Sequence, residues 1–252
     1  MGVLRGLVEP DSRTVSVLGR APRQALAEGQ VGVMLQDAGL MPGVSVGELL
    51  TFVRSLYDHP LALPDLVEAA GLNRLLRRRT DRLSGGEAQR VRFALAIAGD
   101  PLLIVFDEPT AAMDVEARRA FWSRIGGLAA QGRSVLFATH YLEEADLAAD
   151  RITVIAGGRR LADGTPGEIK ATLGERRLTF RVDGDDRGAA GRSTALAGVS
   201  RVEQQGHVLT LSTRDADATV RDLVGSGIGW HDLVVGEAGL EEAFLALTGA
   251  AR

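Results

Sequence analysis

The sequence is defined first by the residues that it lacks. It contains no cysteine, which excludes disulfide bonds and thiolate metal sites. Aromatic residues make up only 4% of the chain. No apolar run approaches the roughly 18 residues that a membrane-spanning helix needs. The N-terminus has no basic segment followed by an apolar core, so we predict no signal peptide and expect a cytoplasmic location.

Lysine is almost absent as well. Lys170 is the single lysine, and the other basic residues are arginines. The net charge of −4 argues against a protein that binds nucleic acid by electrostatic attraction, so no nucleic-acid partner is expected. The basic run at residues 77–79 is the local exception, and we interpret it as a solvated helix end.

What is present is an alternation of strand and helix patterns over the first two thirds of the chain. Apolar strands are predicted at residues 31–36, 102–106 and 134–139, and the last two have the composition of strands buried on both faces. A further alternating strand is predicted at residues 13–19. Helices follow several of these strands, which predicts an α/β fold with a parallel sheet.

The pattern changes near residue 175. Residues 175–252 read as strand, helix, two strands, helix and strand, which is the split βαβ order of a small α+β, ferredoxin-like domain. The sequence therefore predicts a large domain at 1–174, with a helical subdomain at about 45–98, and a small C-terminal domain at 175–252.

Polar side chains follow the apolar strands where each strand ends. Asp107 and Glu108 come directly after one, His140 follows another, and Gln36 ends a third. Ligands bind beyond the carboxyl ends of strands in open parallel sheets. One carboxylate could hold a metal ion while its neighbour reaches a water, and the histidine could bind a phosphate or that water. Each residue alone is more simply a solvated polar residue, so the prediction depends on their combination.

The stretch "RLSGGEAQR", residues 82–90, poses a separate question. Ser84 and Glu87 form the S-x-x-E capping box of a helix start. Gly85 and Gly86 are poor helix formers, but in the first turn they leave backbone N–H groups uncovered at the positive end of the helix dipole. We therefore predict that an anion approaches this helix end.

The combination "LSGGEAQR", then "LLIVFDEPTAAMD", then "ATH", resembles the ATP-binding subunit of an ABC transporter. The resemblance implies a P-loop NTPase-like ABC nucleotide-binding domain that is N-terminally incomplete. It covers residues 6 to about 174. The tail "GLEEAFLALTG" and the extra C-terminal domain are similar to the daunorubicin-resistance type of drug-export ATPases.

The resemblance implies roles for particular residues. The signature is Leu83, Ser84, Gly85, Gly86 and Glu87, which would cap the γ-phosphate of ATP held by the opposite subunit. Glu108 would be the general base and His140 the switch histidine. Asp107 and Gln36 would serve the Mg²⁺ ion, Gln36 would also contact the nucleotide, and Asp114 would lie at the contact between subunits.

The resemblance also implies cofactors and partners. These are ATP and Mg²⁺, a second copy or a paired ATP-binding subunit, and membrane-spanning permease subunits on separate chains. The permease contact would involve residues 36 to about 57. We expect the protein to lie in the cytoplasm, peripherally at the inner face of the cell membrane, and to energise export of a drug or lipid-like substrate.

The family's phosphate loop, G-x-x-x-x-G-K-[ST], does not occur in this sequence. Lys170 lies in "PGEIKATLG", which is not a glycine loop. The resemblance implies an ATPase, but without the phosphate-loop lysine we predict that the chain as given is inactive alone. Two explanations stay open: a start codon assigned too late or a truncated gene, and a degenerate subunit that supplies only its signature in trans. A chromosome- or repair-type ATPase is disfavoured because the sequence has no long heptad run.

Overall fold

The computed structural model describes residues 2, 6, 8–12, 14–35, 38–183 and 188–249. The chain forms two compact units, Met1–His140 and Tyr141–Arg252. The helices are α1 (Pro22–Ala27), α2 (Val46–Arg54), α3 (Leu63–Ala70), α4 (Gly85–Ile97), α5 (Val115–Ala130), α6 (Leu142–Ala148), α7 (Pro166–Ala171), α8 (Ala189–Ser193), α9 (Ala216–Gly225) and α10 (Leu240–Gly249), with a 3₁₀ turn at Thr80–Arg82.

The strands form three sheets. They are β1 (Val31–Met34), β2 (Leu103–Asp107), β3 (Ser134–Ala138), β4 (Ile152–Ala156), β5 (Arg159–Gly164), β6 (Arg176–Val182), β7 (Val199–Gln205), β8 (Val208–Thr213) and β9 (Trp230–Glu237). The first unit holds a three-stranded parallel sheet in the order β1-β2-β3. The second unit holds the β4-β5 hairpin and a four-stranded antiparallel sheet.

Strand β2 is the central strand of the parallel sheet. Ile104, Val105 and Phe106 are almost fully buried, as the continuous apolar run predicts. The register pairs Phe106 with Met34 of β1 and Asp107 with Ala138 of β3. The carboxyl ends of the three strands therefore lie at one edge of the sheet, which is where the predicted site residues follow.

Aromatic side chains dominate the core of the first unit. Phe93 of α4, Phe106 of β2 and Phe121 of α5 contact one another with ring centroids 5.4 to 6.0 Å apart. Trp122 extends this group toward β3, where its ring centroid lies 4.6 Å from that of Phe137. The core thus packs α4, whose first turn contains the signature, against β2, which ends at Asp107.

The C-terminal sheet confirms the ferredoxin-like prediction. Its strand order is β7-β8-β6-β9, antiparallel throughout, with α8 after the first strand and α9 after the third. Leu178, Phe180, Leu209 and Leu211 line its buried face and have no exposed surface. The alternation of buried and half-exposed residues along β8 is the period-two pattern of a sheet with one solvated face.

Two sequence predictions are wrong in detail. The strand predicted at residues 13–19 does not form among the described residues 14–19, where Val17 only bridges to Arg20 across a turn before α1. Strand β3 forms as predicted but is not buried on both faces, because Leu136 is 39% exposed and its other residues are only partly covered or exposed. Apolar composition did not distinguish it from β2, whose burial comes from neighbours on both sides.

The division between the compact units falls 34 residues before the predicted boundary between residues 174 and 175. The second unit includes α6, the β4-β5 hairpin and α7 in addition to the ferredoxin-like segment. The domain bounds given by the sequence therefore stay a prediction. Across the residues that the structure describes, no helix is both long and apolar enough to span a membrane.

Candidate functional site

Two acidic residues and a histidine meet where β2 and β3 end. Asp107 is the last residue of β2, Glu108 follows it, and His140 follows β3 by two positions. The parallel pairing of β2 with β3 sets this arrangement, since it aligns Asp107 with Ala138. The structure thus brings His140 to the adjacent pair Asp107 and Glu108, although it lies 32 positions after Glu108 in the sequence.

Glu108 and His140 are in direct contact. The Nδ1 atom of His140 lies 2.9 Å from Oε2 of Glu108. The backbone N–H of His140 donates to Oε1 at 3.0 Å, and the Thr139 hydroxyl donates to Oε2 at 3.4 Å. The carboxylate is 16% exposed and the imidazole 65% exposed. The carboxylate is therefore fixed in direction while the imidazole is accessible to a ligand.

The backbone of Glu108 has an unusual conformation. Its φ angle is +48°, in the left-handed region that costs a non-glycine residue about 1–2 kcal/mol. Its N–H still donates to the Ala138 carbonyl at 2.9 Å, so the strand pairing continues up to this residue. The chain turns immediately after Glu108, so Glu108 no longer follows the direction of the strand that ends at Asp107. Strain of this kind persists only where surrounding bonds fix it, and it concentrates at functional sites.

Asp107 is the residue here whose type suits a magnesium ion. Among the described residues, no group of three or more His, Cys, Asp or Glu side chains could hold a metal by itself. An ion at Asp107 would therefore need oxygen ligands from a nucleotide and from water, which is how Mg²⁺ is usually held beside phosphates. Gln36, the other predicted ligand, lies outside the described residues.

The signature forms the first turn of α4, as predicted. Ser84 caps the helix: its Oγ accepts from the Glu87 N–H at 3.3 Å, and Glu87 Oε2 accepts from the Ser84 N–H at 2.8 Å. Arg78 lies 3.4 Å from the same carboxylate. The Ser84 N–H, followed by the charge of Arg78, holds the pKa of Glu87 below its ordinary value. The negative charge that the sequence places beside the predicted anion site is thus already paired.

The two signature glycines have different surroundings. A β-carbon on Gly85 would lie 3.1 Å from the β-carbon of Ala112, whereas on Gly86 the nearest atom would be the Ala112 carbonyl oxygen at 3.8 Å. Gly85 is therefore explained within the chain by the close approach of the segment after β2. Gly86 has no neighbour as close as this, and the approach of an anion to both glycines at this helix end stays a prediction.

Asp114 caps α5 in the structure. Its Oδ1 accepts from the Ala117 N–H at 2.8 Å, and its side chain is exposed. Asp114, the predicted subunit-contact residue, follows Ala112 by two positions. It therefore belongs to the same segment as the alanine that approaches Gly85 closely. Leu83 lies just before the cap, partly buried and packed against the core.

Sequence reasoning missed Thr80, Arg92 and Thr139. Thr139 contacts Glu108, while Thr80 and Arg92 bond the segment after Gln36. No local signal identifies them: a threonine in a turn and an arginine on a helix are usually solvated. The tertiary contacts alone give them a role.

Comparison with known proteins identifies the family of the chain. Residues 1–111 match the family described as ABC transporter. The chain is 35% identical to the Nod factor export ATP-binding protein I of Mesorhizobium japonicum, over 98% of this chain and 74% of that protein.

Solved structures agree as well. A structure titled as the ATP-binding subunit of an ABC transporter superposes with a TM-score of 0.61 at 26% identity, covering 69% of this chain and 75% of that one. CbiO1 from Clostridium perfringens, described as part of the ABC transporter complex cbiONQ, shares the fold with a TM-score of 0.59 at 21% identity, over 68% of this chain and 73% of its own. The chain therefore belongs to the ABC transporter family, as the ATP-binding subunit of a transporter.

Proposed function

We propose that this chain is the ATP-hydrolysing subunit of an ABC exporter and that it works in an ATP-sandwich dimer. The partner is a second copy or a paired ATP-binding subunit. The observation that carries the proposal is the contact of Glu108 with His140 at the carboxyl edge of the sheet. ATP and Mg²⁺ are the cofactors that this arrangement would use.

Glu108 acts as the general base in this proposal. Its carboxylate is held by the His140 N–H and the Thr139 hydroxyl, so it need not reorient to accept a proton from a water. The exposed His140 ring orients that water or a phosphate oxygen. When bound, Mg²⁺–ATP supplies the phosphoryl group and neutralises its developing charge. Asp107, and Gln36 from the sequence, would hold the ion.

The signature contributes to the site of the opposite subunit. Ser84 and Gly85 are exposed, and backbone N–H groups of the first helical turn have no partner within the helix. Gly85 and Gly86 carry no side chain over these N–H groups, so a phosphate could approach them. At Gly86 the nearest atom to a β-carbon would be the Ala112 carbonyl oxygen, at an ordinary contact distance of 3.8 Å. With Glu87 paired to Arg78, the positive end of α4 favours a negative ligand.

Permease subunits would dock on the helical segment around α2. Met41, Phe52 and Leu56 are large apolar residues with exposures of 48%, 51% and 67%. Phe52 lies in the last turn of α2, and Leu56 lies in the turn that follows the helix. An exposed apolar surface of this kind suits a protein partner. Such docking would hold the protein at the inner face of the cell membrane.

The substrate would be a drug or a lipid-like molecule. The relatives that match over most of the chain are named for export of Nod factor. The resemblance to daunorubicin-resistance ATPases rests on the tail at residues 239–249 and on the extra C-terminal domain. In the structure this tail forms α10, where Glu242 forms an ion pair with Arg177 of β6.

A second candidate is a non-catalytic subunit that supplies only its signature in trans. The observation that favours it concerns Lys170, the single lysine, whose Nζ lies 3.0 Å from Asp146 and 3.7 Å from Glu237. This lysine is therefore occupied by carboxylates of its own unit.

The test is ATP turnover by the assembled transporter. If the chain is catalytic, Glu108→Gln lowers turnover by roughly 10²-fold or more while ATP binding is retained. Glu116→Gln, an exposed carboxylate in the first turn of α5, is the matched control and leaves turnover unchanged. If Glu108→Gln has no effect while Ser84→Arg stops turnover, the catalytic proposal is wrong and the signature-only subunit is favoured.

A further inference from the structure

The segment after Gln36 is fastened to the flank of the signature. We call residues 38–47 the strap. At its far end the contacts are backbone hydrogen bonds: Val46 N–H donates to Arg78 O at 2.9 Å, and Gly47 N–H donates to Leu76 O at 2.9 Å. The strap thus pairs with the turn that leads into the signature helix.

Thr80 fixes the middle of the strap with its side chain. It is 7% exposed, and its hydroxyl donates to the Met41 carbonyl at 2.6 Å. Its backbone N–H donates to Val44 O at 3.0 Å. Thr80 lies four positions before Ser84, so this buried hydroxyl joins the strap to the start of α4. A buried donor with a carbonyl partner is costly to disrupt.

Arg92 fixes the near end of the strap. Its Nε donates to the Ala38 carbonyl at 2.6 Å, and its Nη1 donates to Gln89 Oε1 at 2.9 Å. Gln89 is only 2% exposed, so it holds the guanidinium in one direction. Arg92 lies on α4 about two turns beyond the start of the helix, and Ala38 follows Gln36 by two positions.

We propose that Thr80 and Arg92 are positioning residues that make the strap and the signature helix one rigid body. This rests on the proposed function, in which Gln36 serves one nucleotide and the signature serves the nucleotide of the opposite subunit. A rigid strap fixes the signature relative to the segment after Gln36. The two parts then close on their nucleotides together.

The first test measures amide hydrogen exchange in the full chain without nucleotide. In Arg92→Met and Thr80→Val, we expect exchange at Val46 and Gly47, the strap residues whose N–H groups donate to Arg78 O and Leu76 O, to rise by about tenfold or more. Arg90→Met is the control, because Arg90 lies on the same helix but donates to Gly71 O. Thr80→Ser retains the hydroxyl and should restore protection. Unchanged exchange in the strap, or an equal rise throughout residues 61–98, would overturn the proposal.

The second test measures ATP turnover in the assembled transporter. With Arg92→Met we expect kcat to fall about tenfold while KM for ATP stays within about twofold, because the signature acts when the dimer closes and not when ATP first binds. The temperature of unfolding should match that of Arg90→Met. If Arg92→Met speeds exchange in the strap but leaves kcat unchanged, Arg92 is not a positioning residue for ATP hydrolysis. An inactive wild-type transporter would instead refute the proposed hydrolysis, and the exchange experiment would still decide whether the strap is fastened.

Discussion

Ala112 covers Gly85 so closely that a β-carbon on the glycine would lie 3.1 Å from the alanine β-carbon. Gly86 has no such neighbour, and the nearest atom to its β-position is 3.8 Å away. The two signature glycines thus differ in how closely a neighbour approaches them: an added β-carbon would press against Ala112 at position 85 but would make only an ordinary contact at position 86.

Gly85→Ala should destabilise the free chain, whereas Gly86→Ala should not. The added methyl at position 85 must displace the Ala112 segment, at a cost of about 1 kcal/mol or more in the free energy of unfolding. At position 86 alanine is the better helix former, so stability should be unchanged or rise by up to about 1 kcal/mol. Denaturant unfolding measures both. Gly85→Ala combined with Ala112→Gly should recover the loss, and equal effects of the two single changes would contradict this explanation.

The Ser84–Glu87 capping box should make the first unit sensitive to acid. The Ser84 N–H and Arg78 lower the pKa of Glu87 in the folded chain. A lowered folded-state pKa contributes stability above the ordinary glutamate value of about 4.3, and that stability is lost as pH falls through the folded value. The stability gap between the wild type and Glu87→Gln should therefore be widest near neutral pH and narrow below about pH 5. A gap that does not vary with pH would refute the assignment, with Glu116→Gln as the control.

Lys170 should stabilise the C-terminal unit by joining α6 to β9. Its Nζ contacts Asp146 and Glu237, and its side chain is 18% exposed. Lys170→Met should lower the free energy of unfolding by about 1–2 kcal/mol, and Lys170→Arg by less. Trp230 fluorescence in a Trp122→Phe background reports this unit by itself.

The pH dependence of this contact has the opposite sign to that of Glu87. The Asp146 carboxylate raises the pKa of Lys170. The stability is therefore complete below the ordinary lysine value of about 10.4 and is lost as pH rises through the raised folded value. Loss of the contact's contribution already at neutral pH would contradict the assignment.

Strand β3 should promote self-association. In the described part of the chain β3 pairs only with β2, so along these residues its other edge has no partner strand. Leu136, in the middle of β3, is 39% exposed. Apolar edges of this kind are templates for pairing with another chain. Leu136→Lys should shift the concentration dependence of light scattering toward the monomer. Leu245→Lys, an exposed leucine on helix α10, is the control and should not. A wild-type chain that stays monomeric at high concentration would contradict this prediction.

Much of the fold could be predicted because its signals are local. The capping box at Ser84 marks a helix start that the structure reproduces. The apolar run before Asp107 predicted the central strand, and the strand order after residue 175 predicted the ferredoxin-like sheet. The strand expected at residues 13–19 failed because alternation alone does not supply a partner strand.

The sequence by itself determined the family, the identity of the catalytic candidates and their order along the chain. Those candidates follow strand ends and a helix start, which are positions that short-range patterns define. Only the tertiary structure decided that Glu108 adopts a left-handed backbone against His140, that Ala112 covers Gly85, and that Arg92 holds Ala38. Each of these joins residues between 27 and 54 positions apart. Such contacts depend on how the strands align and how the helices pack, and no local pattern of side chains encodes either.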